Sequence, residues 1–120
     1  MKIALDEDTP EQIASRLPGH DVQSVRELGL KGTKNGKLLD AIETAEFSRF
    51  VTCDKRMERE QNLSSRPFAI LLLSTNHWPT IEPNVGKIAS ALDEAQPGTI
   101  TRVDCGKFTP RKLRKPFASN

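Results

Sequence analysis

The residues best suited to chemistry are acids that close short apolar runs. Asp6, Glu7 and Asp8 follow KIAL near the N-terminus, Asp54 follows FVTC, and Asp104 follows TITRV. Ser74 and Thr75 follow the run FAILLL, so hydroxyls stand there in place of carboxylates. Carboxylates brought to one crevice repel each other unless a cation lies between them, and Mg2+ or Mn2+ with oxygen ligands meets that need. An ion held in this way can position and activate water against a phosphodiester. The plainer alternative is that these acids only solvate and cap turns at strand ends.

Convergence needs a scaffold, and the apolar periodicity supplies one. It predicts strands over 2–6, 20–25, 49–52, 68–73 and 98–103, with FAILLL as a central strand covered on both faces. A first helix is expected after Thr9 as N-cap, with Pro10 at its first position, Gln12 completing a capping box, and Ile13, Ala14 and Leu17 inward. A second begins near Asn35, beyond a loop with Gly29, Gly32 and Gly36, and carries Leu38, Leu39, Ile42 and Ala45. Residues 55–61 suit one or two helical turns, and 76–83 a proline-bearing loop around Trp78. A last helix runs from Asn84 as N-cap to about Ala95.

Strands alternating with helices imply an α/β fold with a mostly parallel sheet of four to five strands. Such sheets bind ligands beyond the carboxyl ends of their strands. That edge holds Asp6 to Asp8, Asp54, Ser74, Thr75 and Asp104, and helix starts bring Asn35 and either Lys55 or Arg56 to it.

A chain of 120 residues is of single-domain size, with no apolar run long enough to span a bilayer. The N-terminus lacks the grammar of a signal peptide, so the expected location is the cytoplasm. Cys53 and Cys105 show no zinc spacing and are expected to be free thiols. The net charge of +2 is unevenly spread. Residues 106–120 contain Lys107, Arg111, Lys112, Arg114 and Lys115 without an acid, which leaves −3 on residues 1–105. This divides the chain into a domain, 1–105, and a basic tail, 106–120. Such a tail either engages nucleic-acid phosphates by counterion release or is a solvated end.

The succession LDED-x-P at 5–10, L-x-G-H-D-V at 17–22, VRELGL-x-G at 25–32, the Leu38–Leu39 helix, VT-x-D at 51–54 and FAILLL resembles a bacterial PIN-like family. That family is related to the C-terminal PIN-like domain of the Mut7 exonuclease, and its members are viewed as toxins of toxin–antitoxin pairs. The resemblance implies a PIN-like three-layer α/β/α sandwich and a Mg2+- or Mn2+-dependent ribonuclease, with an antitoxin as protein partner and RNA as substrate. It assigns Asp6 and Asp54 as catalytic metal ligands, with Glu7 beside Asp6. Asp8, Asn35, Thr52 and Arg56 are the supporting residues.

Three positions depart from the family pattern. Asp8 replaces the usual Asn, Asn35 replaces an acid at the helix start, and Arg56–Met57 replace a second Asp and its Phe. Together the changes shift the pocket charge by about three units, which weakens divalent-ion binding. Arg56 is placed to neutralise Asp6 or Asp54 directly. As substitute ligands, Asp40 lies opposite the apolar stripe of its helix and Glu43 leans outward, so Asp8 is the better candidate.

Two other classes use the same residues. A receiver domain would take the acids after the first strand, Asp54 as phosphoacceptor, Ser74 or Thr75, and Lys107. A catalytically inactive PIN-like module would bind RNA or protein, and self-association is open in either case. Among the remaining polar residues, His20 reads as structural. His77 and Trp78 either stack a base or close a core edge. Arg26 and Glu27 pair with each other or with a partner. Strand alternation puts Cys53 on the face opposite Thr52 and Asp54, without a base to activate it.

Overall fold

In the computed structural model, which describes residues 1–60 and 62–107, the apolar runs become five strands. These are β1 (Lys2–Leu5), β2 (Asp21–Ser24), β3 (Arg49–Thr52), β4 (Ala69–Leu73) and β5 (Ile100–Val103). The helices are α1 (Asn35–Thr44), α2 (Trp78–Ile81) and α3 (Val85–Glu94). Segments of 3₁₀ helix cover Glu11–Arg16, Lys55–Arg59, Leu63–Ser65 and Glu82–Asn84. All strand pairs are parallel and the sheet order is β2-β1-β3-β4-β5, which makes this an α/β fold.

Two-residue alternation divides the strand side chains between two cores. Ile3, Leu5, Val51, Leu71 and Leu73 point to one face, under Ile13, Ile81, Ile88 and Leu92. Ala4, Phe50 and Ile70 point to the other, under Leu39, Ile42 and Met57. Helices therefore cover both faces, as a parallel sheet requires. Each large side chain fully buried here contributes about 1.5–3 kcal/mol of transfer free energy. β4 is buried at all five positions, as expected for FAILLL. No described helix is long and apolar enough to cross a membrane.

The order 2-1-3-4-5 has its topological switch between β1 and β3, where connections leave in opposite directions and open a crevice. The register fixes what stands there. Leu5 pairs with Val51, so the next residues on the two strands, Asp6 and Thr52, come side by side.

Three local expectations are corrected. Thr9 does not cap a helix: it is buried, its hydroxyl donates to the Val51 carbonyl at 3.3 Å, and the following turn is 3₁₀ with Pro10 at its cap position. The Thr9 hydroxyl faces the neighbouring strand, and the turn after it makes no side-chain cap bond. The loop around Trp78 contains a helical turn, α2, because Pro79 sits in the first turn, where its missing N–H costs nothing. Asn84 precedes α3 as expected but makes no cap bond; its amide donates to the carbonyls of Thr80 and Cys105, both at 3.2 Å.

Candidate functional site

Asp6 leaves β1 with its backbone N–H donating to Val51 O at 2.9 Å, which keeps its side chain beside β3. The Thr52 hydroxyl donates to Asp6 Oδ2 at 2.6 Å, and the Glu7 N–H donates to Oδ1 at 2.8 Å. Thr52 is fully buried, and its hydroxyl oxygen also accepts the Asp54 N–H at 3.0 Å. One hydroxyl thus links the two segments that carry Asp6 and Asp54. Both belong to the α1 side of the sheet, and Cys53 packs against the core on the opposite face.

The three aspartates have different electrostatic states. Asp6 is 7% exposed, and burial raises its carboxyl above the ordinary range despite the Thr52 bond; the neighbouring Asp8 charge pushes the same way. Burial also raises Asp8, against the bonds it accepts from Cys53 N and Thr9 Oγ1, both at 3.3 Å, and the Asp54 charge adds to the rise. Asp54 lies below the ordinary range, chiefly because the Arg56 side chain bonds to it. Arg56 Nε donates to Oδ1 and Nη2 to Oδ2, each at 3.0 Å, while the Arg56 backbone N–H donates to Oδ1 at 2.9 Å. Asn35, at the start of α1, lines the same cleft and adds a smaller lowering influence. The Arg56 side chain is 80% exposed, so it covers Asp54 from the solvent side.

These residues wall an open cleft of about 600 Å3 that includes Asp6, Glu7, Asp8, Asn35, Asp54 and Arg56. Glu7 turns toward the glycine-bearing loop and accepts the Gly32 N–H at 3.2 Å, which joins that loop to the acidic segment. A second hollow of about 350 Å3 lies on the other side of Asp6–Asp8, against Arg26, Asn76 and Trp78.

Among the described residues, no three His, Cys, Asp or Glu side chains are gathered as an all-protein metal site needs. The donor set instead suits an ion that keeps several waters, as Mg2+ commonly does with one or two carboxylates. The negative charge of Asp6 and Asp8 is the feature that would attract a cation, and the Asp54–Arg56 pair is the feature that would compete with it.

Other expected residues are placed elsewhere. Ser74, Thr75, Asp104, Lys55 and Lys107 line a separate cleft of about 560 Å3 at the ends of β4 and β5, which Asp54 does not line. Of Lys55 and Arg56, it is Arg56 that reaches the acids. Asp40 and Glu43 are both held by Arg66, at 2.6 and 3.1 Å, outside the acidic cleft. Glu27 accepts the Ser24 N–H at 3.2 Å and so is committed to the end of β2. His20 Nδ1 lies 3.0 Å from the N-terminal amino group, and His77 Nδ1 lies 2.9 Å from the Thr80 hydroxyl. Trp78 packs on the core edge. Burial, helped by the Asp8 charge, pushes the Cys53 thiol up to about 12, and Sγ donates to Thr75 O at 3.4 Å; it is no nucleophile. Arg111, Lys112, Arg114 and Lys115 lie outside the described residues. Lys34 also lines the acidic cleft, and the signal for it is the acid-free run KGTKNGK at 31–37.

The fold and cleft define a doubly wound α/β domain with a carboxylate-lined crevice at its switch point. No family model, curated protein or solved structure matches the chain.

Proposed function

We propose that this chain is the PIN-like component of a toxin–antitoxin pair and acts in the cytoplasm as a metal-dependent ribonuclease. The observation that carries the reading is that the Thr52 hydroxyl bonds both the Asp6 carboxylate and the Asp54 backbone N–H, and that both aspartates line one cleft. The resemblance carried by LDED and VTCD supports it. Asp6 and Asp54 would hold Mg2+ or Mn2+, and the ion would supply a positioned, activated water for attack on a phosphodiester. Thr52 orients the Asp6 carboxylate, Asn35 stands in the same cleft wall as Asp54, and Asp8 adds negative charge beside the pair. Arg56 must release Asp54 for the site to open.

The bidentate Arg56–Asp54 pair favours a second reading, in which the tethered guanidinium stands in for the ion and the domain binds RNA or a protein without cutting. The two readings separate on a single-stranded RNA incubated with Mg2+ or Mn2+. Cleavage that disappears in Asp6→Asn and in Asp54→Asn supports the enzyme. Binding without cleavage in the wild type supports the module.

A further inference from the structure

The loop that Glu7 tethers carries its own charge pattern. KGTKNGK places Lys31, Lys34 and Lys37 within seven residues without an acid. All three side chains belong to exposed residues, and Lys34 and Lys37 are one turn apart at the start of α1. The tether is specific: Gly32, at φ +80°, bonds to Glu7, so the loop lies alongside the acidic segment. Lys34 lines the same cleft as Asp6 and Asp54, and Arg56 stands in that cleft over Asp54. The cleft therefore has an acidic floor and a cationic border.

We infer that Lys31, Lys34 and Lys37 form a phosphate-gripping bank along the acidic cleft, which holds the backbone of a single-stranded RNA while one phosphodiester faces Asp6 and Asp54. The inference rests on the ribonuclease reading and adds to it the residues that bind the strand. A polyanion cannot approach buried carboxylates unaided, because like charges in a partly desolvated site repel strongly. Lys34 at the edge of the floor, with exposed Lys31 and Lys37 three residues to either side, offsets that repulsion and suits a chain of phosphates better than a single anion. Lysine gives this contact charge without a fixed geometry, as sequence-independent backbone binding requires.

The test is RNA binding by the full chain in EDTA, followed by fluorescence anisotropy across a salt series, so that cleavage plays no part. Each phosphate neutralised on a single strand contributes about −0.7 to the slope of log K against log salt. The combined Lys31→Gln, Lys34→Gln and Lys37→Gln variant should therefore show a slope shallower by about 2. Between 50 and 200 mM salt the wild type then loses about 20-fold more affinity than the variant. Lys87→Gln, on the helix layer covering the other face, should keep the wild-type slope. A triple variant with the wild-type slope overturns the proposal and assigns these lysines to an acidic protein surface. A wild type that binds no RNA overturns the ribonuclease reading itself, so the two failures are distinguishable.

Discussion

The two clefts at the carboxyl edge of the sheet are built from similar residues and treat them differently. At β4 and β5, Ser74 donates to Gly106 O at 2.7 Å and accepts the Cys105 N–H at 2.9 Å, while Asp104 accepts the Gly106 N–H at 2.9 Å. These polar groups are spent on holding the chain beyond β5. At β1 and β3, Asp6 is buried beside the charge of Asp8, half-buried Asp8 feels the charge of Asp54, and both carboxyls are raised. Their hydrogen bonds satisfy geometry without removing the negative potential. A fold gains stability from the first arrangement and loses some to the second, which is how binding sites commonly differ from supporting structure.

Substitutions sharpen this contrast, beginning with the largest effect. On the proposed ribonuclease reading, Asp6→Asn should reduce metal-dependent RNA cleavage by about 100-fold or more, because it would remove a ligand rather than a support. Asn is nearly isosteric, so a wild-type circular dichroism spectrum would show that the loss is chemical. Thr52→Val should lower cleavage by about 10- to 100-fold and stability by about 1–3 kcal/mol, since the buried Asp6 carboxylate and the Asp54 N–H lose their common partner. Chemical denaturation and initial rates measure the two parts. Ser74→Ala, at the other cleft, should cost about 1–2 kcal/mol and leave the cleavage rate unchanged. Lost activity in Ser74→Ala would erase the distinction between the clefts.

Two smaller effects test the electrostatics. Because burial raises the Asp8 carboxyl above its ordinary value of 3.8, the folded state binds the proton more tightly than the unfolded chain does. Stability therefore falls as pH rises from that value through the raised folded one, and the penalty is complete at neutral pH. Asp8→Asn should raise the thermal midpoint at about pH 7 and give no gain at about pH 3. A wild-type midpoint at neutral pH would mean that Asp8 carries no penalty. The Cys53 thiol, pushed up to about 12, should resist iodoacetamide at pH values where an exposed thiol reacts. Rapid alkylation in the native protein would show that the β3 end opens.

Much of this arrangement is legible in the sequence. Period-two alternation places β1, β3 and β4 and identifies the acids that follow β1 and β3, because a strand's side-chain direction is a local property. It also puts Cys53 opposite Thr52 and Asp54. What escapes is decided by distant partners. Thr9 has the local signature of a cap, yet its hydroxyl belongs to Val51, 42 residues away. Asp40 and Glu43 are engaged by Arg66, 26 and 23 residues away, which no helical periodicity reports. The Asp6–Thr52 bond depends on the register of β1 against β3. The Asp54–Arg56 pair is local, and the sequence raises it, but only the 3₁₀ turn at Lys55–Arg59 fixes its bidentate geometry. The place of Lys34 at the cleft escapes because it depends on where Glu7 holds Gly32 and its loop.

In the proposed reading Asp6 and Asp54 would form one cation-binding site, which Arg56 covers. A crystal structure of the protein soaked in Mn2+, with anomalous scattering to locate the metal, tests it most directly. The expected result is one Mn2+ bound by both carboxylates, with the Arg56 guanidinium displaced from Asp54. An Arg56 still bidentate on Asp54, with no metal at the β1–β3 crevice, would contradict it.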